Sequence, residues 1–252
     1  MKKYNKTFIM ADLHLPFHNA SLIQLYKKVI KDEKPTHIVL LGDMIDCQFI
    51  SKFTNKGIDS GLVSTLTEIK AFKKILKDIL SVAPKNVQVI WTLGNHEDRI
   101  SQVMRKFEEK GLFEKLEYWD EQLDLEKHFP NVKILPYNEI YQLGKLGYTH
   151  GVYHSQFFTK QHAIKFLRNL IIGHLHTEQI YTLDTPKGEY PIQCHSIGCS
   201  CKLDLDYLRG RPSPWLNQFA IVYYRQRGEY TLYTPTIING RTTFNGHIYD
   251  CS

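Results

Sequence analysis

Five short polar blocks, each directly after an apolar run, carry residue types able to do chemistry in this chain. They are "DLH" with Asp12 and His14, "GDMID" with Asp43 and Asp46, "GNHE" with Asn95 and His96, "THG" with His150, and "GHLH" with His174 and His176. Carboxylate, imidazole and amide-oxygen donors suit borderline divalent metals such as manganese, iron, zinc, nickel or cobalt better than calcium or copper(I). So many donors exceed the needs of one ion. They suit two ions sharing a carboxylate at about 3.5–4 Å separation, which lowers the pKa of a bridging water and stabilises a phosphoryl group under in-line attack. Each block alone is ordinary, since an isolated Asp after a strand is commonly a turn or cap residue. All five in sequence, each at a strand end, point to a shared site.

The elements that must position these blocks follow from periodicity. Thr7–Ala11 reads as a short buried strand that delivers Asp12. Leu22, Leu25, Tyr26, Val29 and Ile30 recur at helical spacing after Ser21, the expected N-cap. "THIVLLGD" is a second strand. Leu66, Ile69, Phe72, Ile75, Leu76, Ile79 and Leu80 form another amphipathic stripe closed by Pro84, and "NVQVIWTLGNHE" is a third strand. Strand, helix, strand, helix, strand is the signature of an α/β layered core. Residues 97–128 are charged and helical in tendency, with Gly111 as the break. From "VKILPY" onward the pattern is mostly strands with one helix near Lys160–Leu167, and "YYRQRGEYTLY" reads as a hairpin turning near Arg227–Gly228. The second half is therefore expected to build a second sheet packed on the first. Glycines beside the polar blocks let the backbone turn sharply around a small shared object.

Composition bounds the class. The chain has 252 residues, 42% of them apolar and 23% charged, enough for one large core and unlike a disordered segment. We expect a single domain over 1–252, with the donor blocks in 12–176 and the strands and hairpins of 177–252 completing the second sheet. No apolar run is long enough to span a bilayer, and the apolar part of "MKKYNKTFIMADLH" is too short for a signal peptide. Five cysteines do not suggest a disulfide framework, so a reducing cytoplasm is the expected location, with no membrane partner. The net charge of +6 accommodates phosphate-bearing substrates, but dispersed basic residues mark no nucleic-acid tail.

With these blocks in hand, the chain resembles the calcineurin-like metallophosphoesterases, whose pattern is D-x-H, G-D-x-x-D, G-N-H-[DE], H and G-H-x-H. The resemblance covers about two thirds of the chain and implies a four-layer αββα sandwich of two mixed sheets flanked by helices. It implies one metal held by Asp12, His14, Asp43 and His176, and another by Asp43, Asn95, His150 and His174, with Asp43 bridging and manganese the first choice. It implies hydrolysis of phosphate esters by a hydroxide bridging the two metals. His96 matches the histidine that touches the phosphate and protonates the leaving oxygen, and Asp46 the carboxylate that orients it. A carboxylate behind an imidazole raises its pKa, as a general acid near neutral pH requires. His154 and His162 compete with His150; His150 is preferred because it ends "KLGYTH" and precedes glycine, as the family pattern asks.

The branch of the family is narrowed by departures. Protein phosphatases of this kind carry an arginine where Cys47 stands, and lack G-H-x-H. The G-H-x-H block looks more like the phosphodiesterase, nucleotidase and nuclease branches, so a nucleotide or nucleic-acid diester is the expected substrate. A phosphomonoesterase or nucleotidase is the alternative, followed by a non-catalytic binding module on the same fold. "SIGCSCKLDLDYLRGRPSPWLNQFAIV" resembles a segment of metallophosphoesterases encoded by bacteriophages and bacteria. Within it, Arg209 or Arg211 could meet a phosphate and Trp215 stack on a base, against the plainer reading of a surface turn with an aromatic plug. Arg99 is a further candidate phosphate ligand, with a helix-face salt bridge as its competing role. Cys199 and Cys201, with Cys194 nearby, invite a zinc reading; no second pair at ligand spacing follows, so they are taken as buried free thiols.

Overall fold

Every second residue of the first strand points the opposite way, and the two faces enter different cores. β1 (Lys6–Met10) turns Phe8 and Met10 toward helices and Ile9 toward a second sheet, and all three are fully buried. The computed structural model describes residues 5–50, 58–111, 129–186, 190–204 and 210–251. β1 is followed by α1 (Ala20–Glu33), β2 (His37–Leu40), α2 (Ile58–Val82), β3 (Gln88–Thr92), α3 (Asn95–Glu109) and β4 (Val132–Leu135). β1 to β4 pair in parallel in chain order, as strand–helix–strand units dictate.

The remaining elements are β5 (Tyr141–Leu143), β6 (Leu146–Tyr148), α4 (Phe158–Phe166), β7 (Leu170–Ile172), β8 (Gln179–Leu183), β9 (Ile192–Ser196), β10 (Asn217–Gln218), β11 (Ala220–Tyr224), β12 (Tyr230–Tyr233), β13 (Thr236–Ile237), β14 (Arg241–Phe244) and β15 (His247–Asp250). Among the described residues, one mixed sheet runs β12-β11-β1-β2-β3-β4 and the other β5-β6-β7-β9-β8. Three apolar cores separate the layers. One lies between the first sheet and α1–α3, a second between the sheets, and a third, with Phe158 and Ala163 of α4, on the outer face of the second sheet. This is the αββα sandwich. Tyr148 and Tyr224 share a hydroxyl–hydroxyl hydrogen bond across the gap between the sheets.

Two expectations are corrected. The C-terminal segment does not simply complete the second sheet: β11 pairs antiparallel with β1, and β12 with β11, so the hairpin at Arg227–Gly228 extends the first sheet, which β4 also joins. β11 is buried almost throughout, and beside β1 its Ile221 enters the helix-side core while Ala220, Val222 and Tyr224 enter the core between the sheets. The N-cap of α1 is Asn19, not Ser21: its side-chain oxygen accepts the Ser21 N–H at 3.2 Å, from extended backbone outside the helix. α3 ends at Glu109 and Gly111 follows at φ +67°, while the rest of the charged helical expectation, 112–128, lies outside the described residues. No helix among the described residues is long and apolar enough to cross a membrane.

Candidate metal centre

The five blocks meet at one end of the two sheets, beyond the C-terminal ends of β1, β2, β3, β6 and β7, where α/β sheets commonly place their sites. The chain is bent hard to bring them there. Asp12, His14, Asp43, His174 and His176 all adopt left-handed backbone, with φ between 49° and 79°. Such residues cost about 1–3 kcal/mol each and persist only where the surroundings over-determine them. Glycine is required where backbone and carboxylate nearly touch. A Cβ on Gly94 would stand 2.1 Å from Asp43 Oδ1, and one on Gly173 2.5 Å from Asp12 Oδ2.

Two niches share Asp43. In the first, His176 Nε2 lies 3.1 Å from His14 Nε2 and 3.4 Å from Asp12 Oδ1, and His14 Nε2 lies 3.8 Å from Asp43 Oδ2. In the second, His150 Nε2 lies 3.2 Å from Asp43 Oδ2, 3.1 Å from Asn95 Oδ1 and 3.2 Å from His174 Nδ1. Donors about 2.1 Å from one ion stand about 3 Å apart, so these spacings fit a divalent cation in each niche. The tautomers fit too. His150 Nδ1–H donates to the Leu41 carbonyl at 2.6 Å, and His14 Nδ1–H to Asp46 Oδ1 at 2.9 Å, which leaves both Nε2 lone pairs facing inward. The Asp12 carboxylate is held by the His174 backbone N–H, at 3.1 and 3.0 Å to its two oxygens.

Charge follows this geometry. Burial works against protonating His150, but Asp43 outweighs it and raises its pKa to about 10. Burial and the neighbouring His150 lower His174 to about 4. His96 sits half-buried at the rim, with Nε2 3.9 Å from Asp43 Oδ2. Burial lowers its pKa, yet Asp46 and Asp43 together hold it above the ordinary imidazole value. His96 Nδ1–H donates to the Asp46 backbone carbonyl at 2.7 Å, and the Asp46 carboxylate is 3.3 Å from the same nitrogen.

Among the other candidates, His162 is engaged elsewhere: it donates to the Phe158 carbonyl and accepts from the Val152 N–H. Arg99 donates through Nη1 to the Asp46 carbonyl at 2.8 Å. Trp215 packs its ring edge-on against His176, centroids 4.2 Å apart. Arg211 is exposed, and Arg209 lies outside the described residues. Cys194, Cys199 and Cys201 are buried free thiols.

Glu97 was not singled out from the sequence. It is 3% exposed, and its carboxylate accepts the backbone N–H groups of Asp43 (2.9 Å), Met44 (2.6 Å), Ile45 (3.1 Å) and Gly94 (2.7 Å). It thereby ties the "GDMID" turn to the "GNHE" turn. The signal was present: a Glu three residues after a helix-entry residue is the reciprocal half of a capping box.

A family description, calcineurin-like phosphoesterase, matches residues 6–210. No curated protein matches by sequence. Solved structures with similar folds include Vacuolar Protein Sorting 29 from Cryptosporidium parvum, at 12% identity and TM-score 0.52, covering 98% of each chain. Vps29 from Chaetomium thermophilum aligns at 13% identity and TM-score 0.51 over 98% of this chain and all of its own. At such identity these likenesses speak for the fold. The family match and the converged donor blocks together establish that this chain belongs to the calcineurin-like phosphoesterases.

Proposed function

We propose that this protein hydrolyses phosphate esters at a centre of two divalent cations, with a phosphodiester of nucleotide or nucleic-acid type as substrate. The observation that supports this most is the convergence of two donor sets on one buried carboxylate, Asp43. Asp12, His14, Asp43 and His176 would hold one ion, and Asp43, Asn95, His150 and His174 the other, with manganese the first choice. Such a pair supplies Lewis acidity and activation of a water nucleophile.

The chain's own residues do the rest. His96 keeps a proton on Nε2 while Nδ1–H is tied to Asp46, and it donates that proton to the departing ester oxygen. Asp46 positions His14 and His96 together, and Arg99 donates to the same Asp46 carbonyl that receives His96 Nδ1–H. Trp215, half-buried beside His176, offers an aromatic wall for a base, and Arg211 an outer cation. The solved neighbours named for vacuolar protein sorting favour a second reading, a binding module on the same fold. Every donor position is retained here, which supports catalysis over that reading.

The test is hydrolysis of bis-p-nitrophenyl phosphate beside p-nitrophenyl phosphate with added manganese, for wild type, Asp43→Asn and His96→Ala. Diester turnover that both substitutions remove supports the reading. Monoester preference redirects it to a nucleotidase. Two ions bound per chain with neither ester cleaved would favour the binding module.

A further inference from the structure

Cys199 and Cys201 lie directly behind His176. The chain bends at Ser200, between the bridge residues Cys199 and Cys201, and brings the two thiols close to one another. The segment is anchored at each residue. Ser200 N–H reaches the carbonyls of Ala11 (2.9 Å) and Asp12 (3.1 Å), and Cys199 N–H that of Leu216 (2.9 Å). Tyr26 accepts from the Ser200 hydroxyl at 3.1 Å and donates to the Gln218 carbonyl at 3.1 Å. Asn217 Nδ2 clamps the thiol side, donating to the carbonyls of Cys199 (3.1 Å) and Cys201 (2.8 Å), with Cys199 Sγ at 3.8 Å.

Into this clip projects His176 Nδ1, 4.0 Å from Cys201 Sγ. One ligand atom from each of Cys199, Cys201 and His176 lies within 4.8 Å of the others, and all three residues are buried. We propose that Cys199, Cys201 and His176 Nδ1 form a site for a thiophilic cation, distinct from the two niches and sharing only His176 with them. Zinc holds sulfur at about 2.3 Å and nitrogen at about 2.0–2.1 Å, so its ligands stand roughly 3.5 Å apart, close to the spacing already present. On binding, each thiol releases its proton to solvent. Two thiolates and a neutral imidazole around Zn²⁺ or Cd²⁺ make a cluster without net charge, which a buried site tolerates.

The clip also sets a competition. A neutral imidazole has one lone pair, and His176 can offer it through Nε2 to an ion in the first niche, beside Asp12 and His14, or through Nδ1 to an ion at the thiols. A thiophilic ion therefore withdraws His176 from the first niche. That consequence rests on the function proposed above; the site itself rests only on where the sulfur and nitrogen atoms stand.

The test titrates metal-free, reduced full-length protein with cadmium chloride and follows the ultraviolet thiolate-to-metal charge-transfer band. The band should saturate at one ion per chain, weaken in Cys199→Ser and in Cys201→Ser, vanish when both are replaced, and survive in Asp43→Asn. Manganese binding, measured on the cadmium-loaded wild type, should fall from two ions per chain to one. Absence of the band in wild type overturns the site whether or not the protein is a hydrolase, and needs no variant to fold. A band that persists undiminished when both cysteines are replaced by serine overturns it too, by assigning the sulfur to another cysteine. A normal band in a protein that cleaves no ester would leave the site standing and remove only the hydrolytic reading.

Discussion

Asp46 grips His96 by its backbone carbonyl, 2.7 Å from Nδ1, while its carboxylate is nearer to His14. One residue thereby sets the tautomer of a candidate metal ligand and of the candidate general acid. Burial works to raise the Asp46 pKa, but hydrogen bonds from His14 and His96 overcome it and hold the carboxyl well below its ordinary range. Asp46→Asn keeps the carbonyl and removes the charge that helps raise His96. His96 should then lose its proton at lower pH, and the alkaline limb of kcat/KM against pH should move downward. A limb that stays in place would show that the carbonyl alone sets the proton affinity of His96.

His96 stands at the edge of the first niche, one ring nitrogen within 4.8 Å of ligand atoms of His14 and Asp43, and we assign it the proton rather than an ion. His96→Ala should therefore retain two ions per chain by elemental analysis while kcat falls about 10²–10⁴-fold, the range for a lost general acid. Loss of metal in this variant would make His96 a ligand instead.

Glu97 satisfies four backbone N–H groups in a buried position. A buried donor left unpaired costs about 1–3 kcal/mol. Glu97→Ala should destabilise the fold by at least about 4 kcal/mol, lowering Tm by roughly 8–16 °C at this chain length. Glu97→Gln, which keeps one acceptor oxygen, should fall between. Calorimetric unfolding of the two variants checks this; an unchanged Tm in Glu97→Ala would mean that the two turns hold each other without it.

His150 must be neutral to bind a metal, yet Asp43 raises its pKa to about 10. Ion binding near pH 7–8 should displace that proton, and apparent affinity should rise about tenfold per pH unit. Calorimetric titration in buffers of different ionisation heat measures the released proton. In the metal-free chain the sign is reversed for stability: the His150–Asp43 pair contributes fully below 6.5, the ordinary imidazole value, and its contribution is lost as pH rises through about 10. A binding heat independent of buffer would contradict the charged state of His150.

The sequence by itself determined what neighbours within a few residues decide. The short continuous apolar runs set β1, β2 and β3, the stripe from Leu66 to Leu80 set α2, and the glycine-flanked polar blocks marked the strand ends. Pleat, helical pitch and glycine backbone freedom are local physics, so composition and spacing expose them. Relations across long sequence separations were decided only by packing. The apolar run of β11 called for burial on both faces but did not say that it would pair with β1, between the helix layer and the second sheet. Nothing around residue 97 counts the three N–H groups that Glu97 receives from residues 43–45. The C-x-C pair offered two ligands, and the third, His176, reaches it through Nδ1 only because its loop, bent by the left-handed backbone of His174 and His176, folds against Cys199–Cys201. Side-chain direction at a loop depends on backbone conformations that tertiary contacts stabilise against their local cost, and that information is spread over the whole chain.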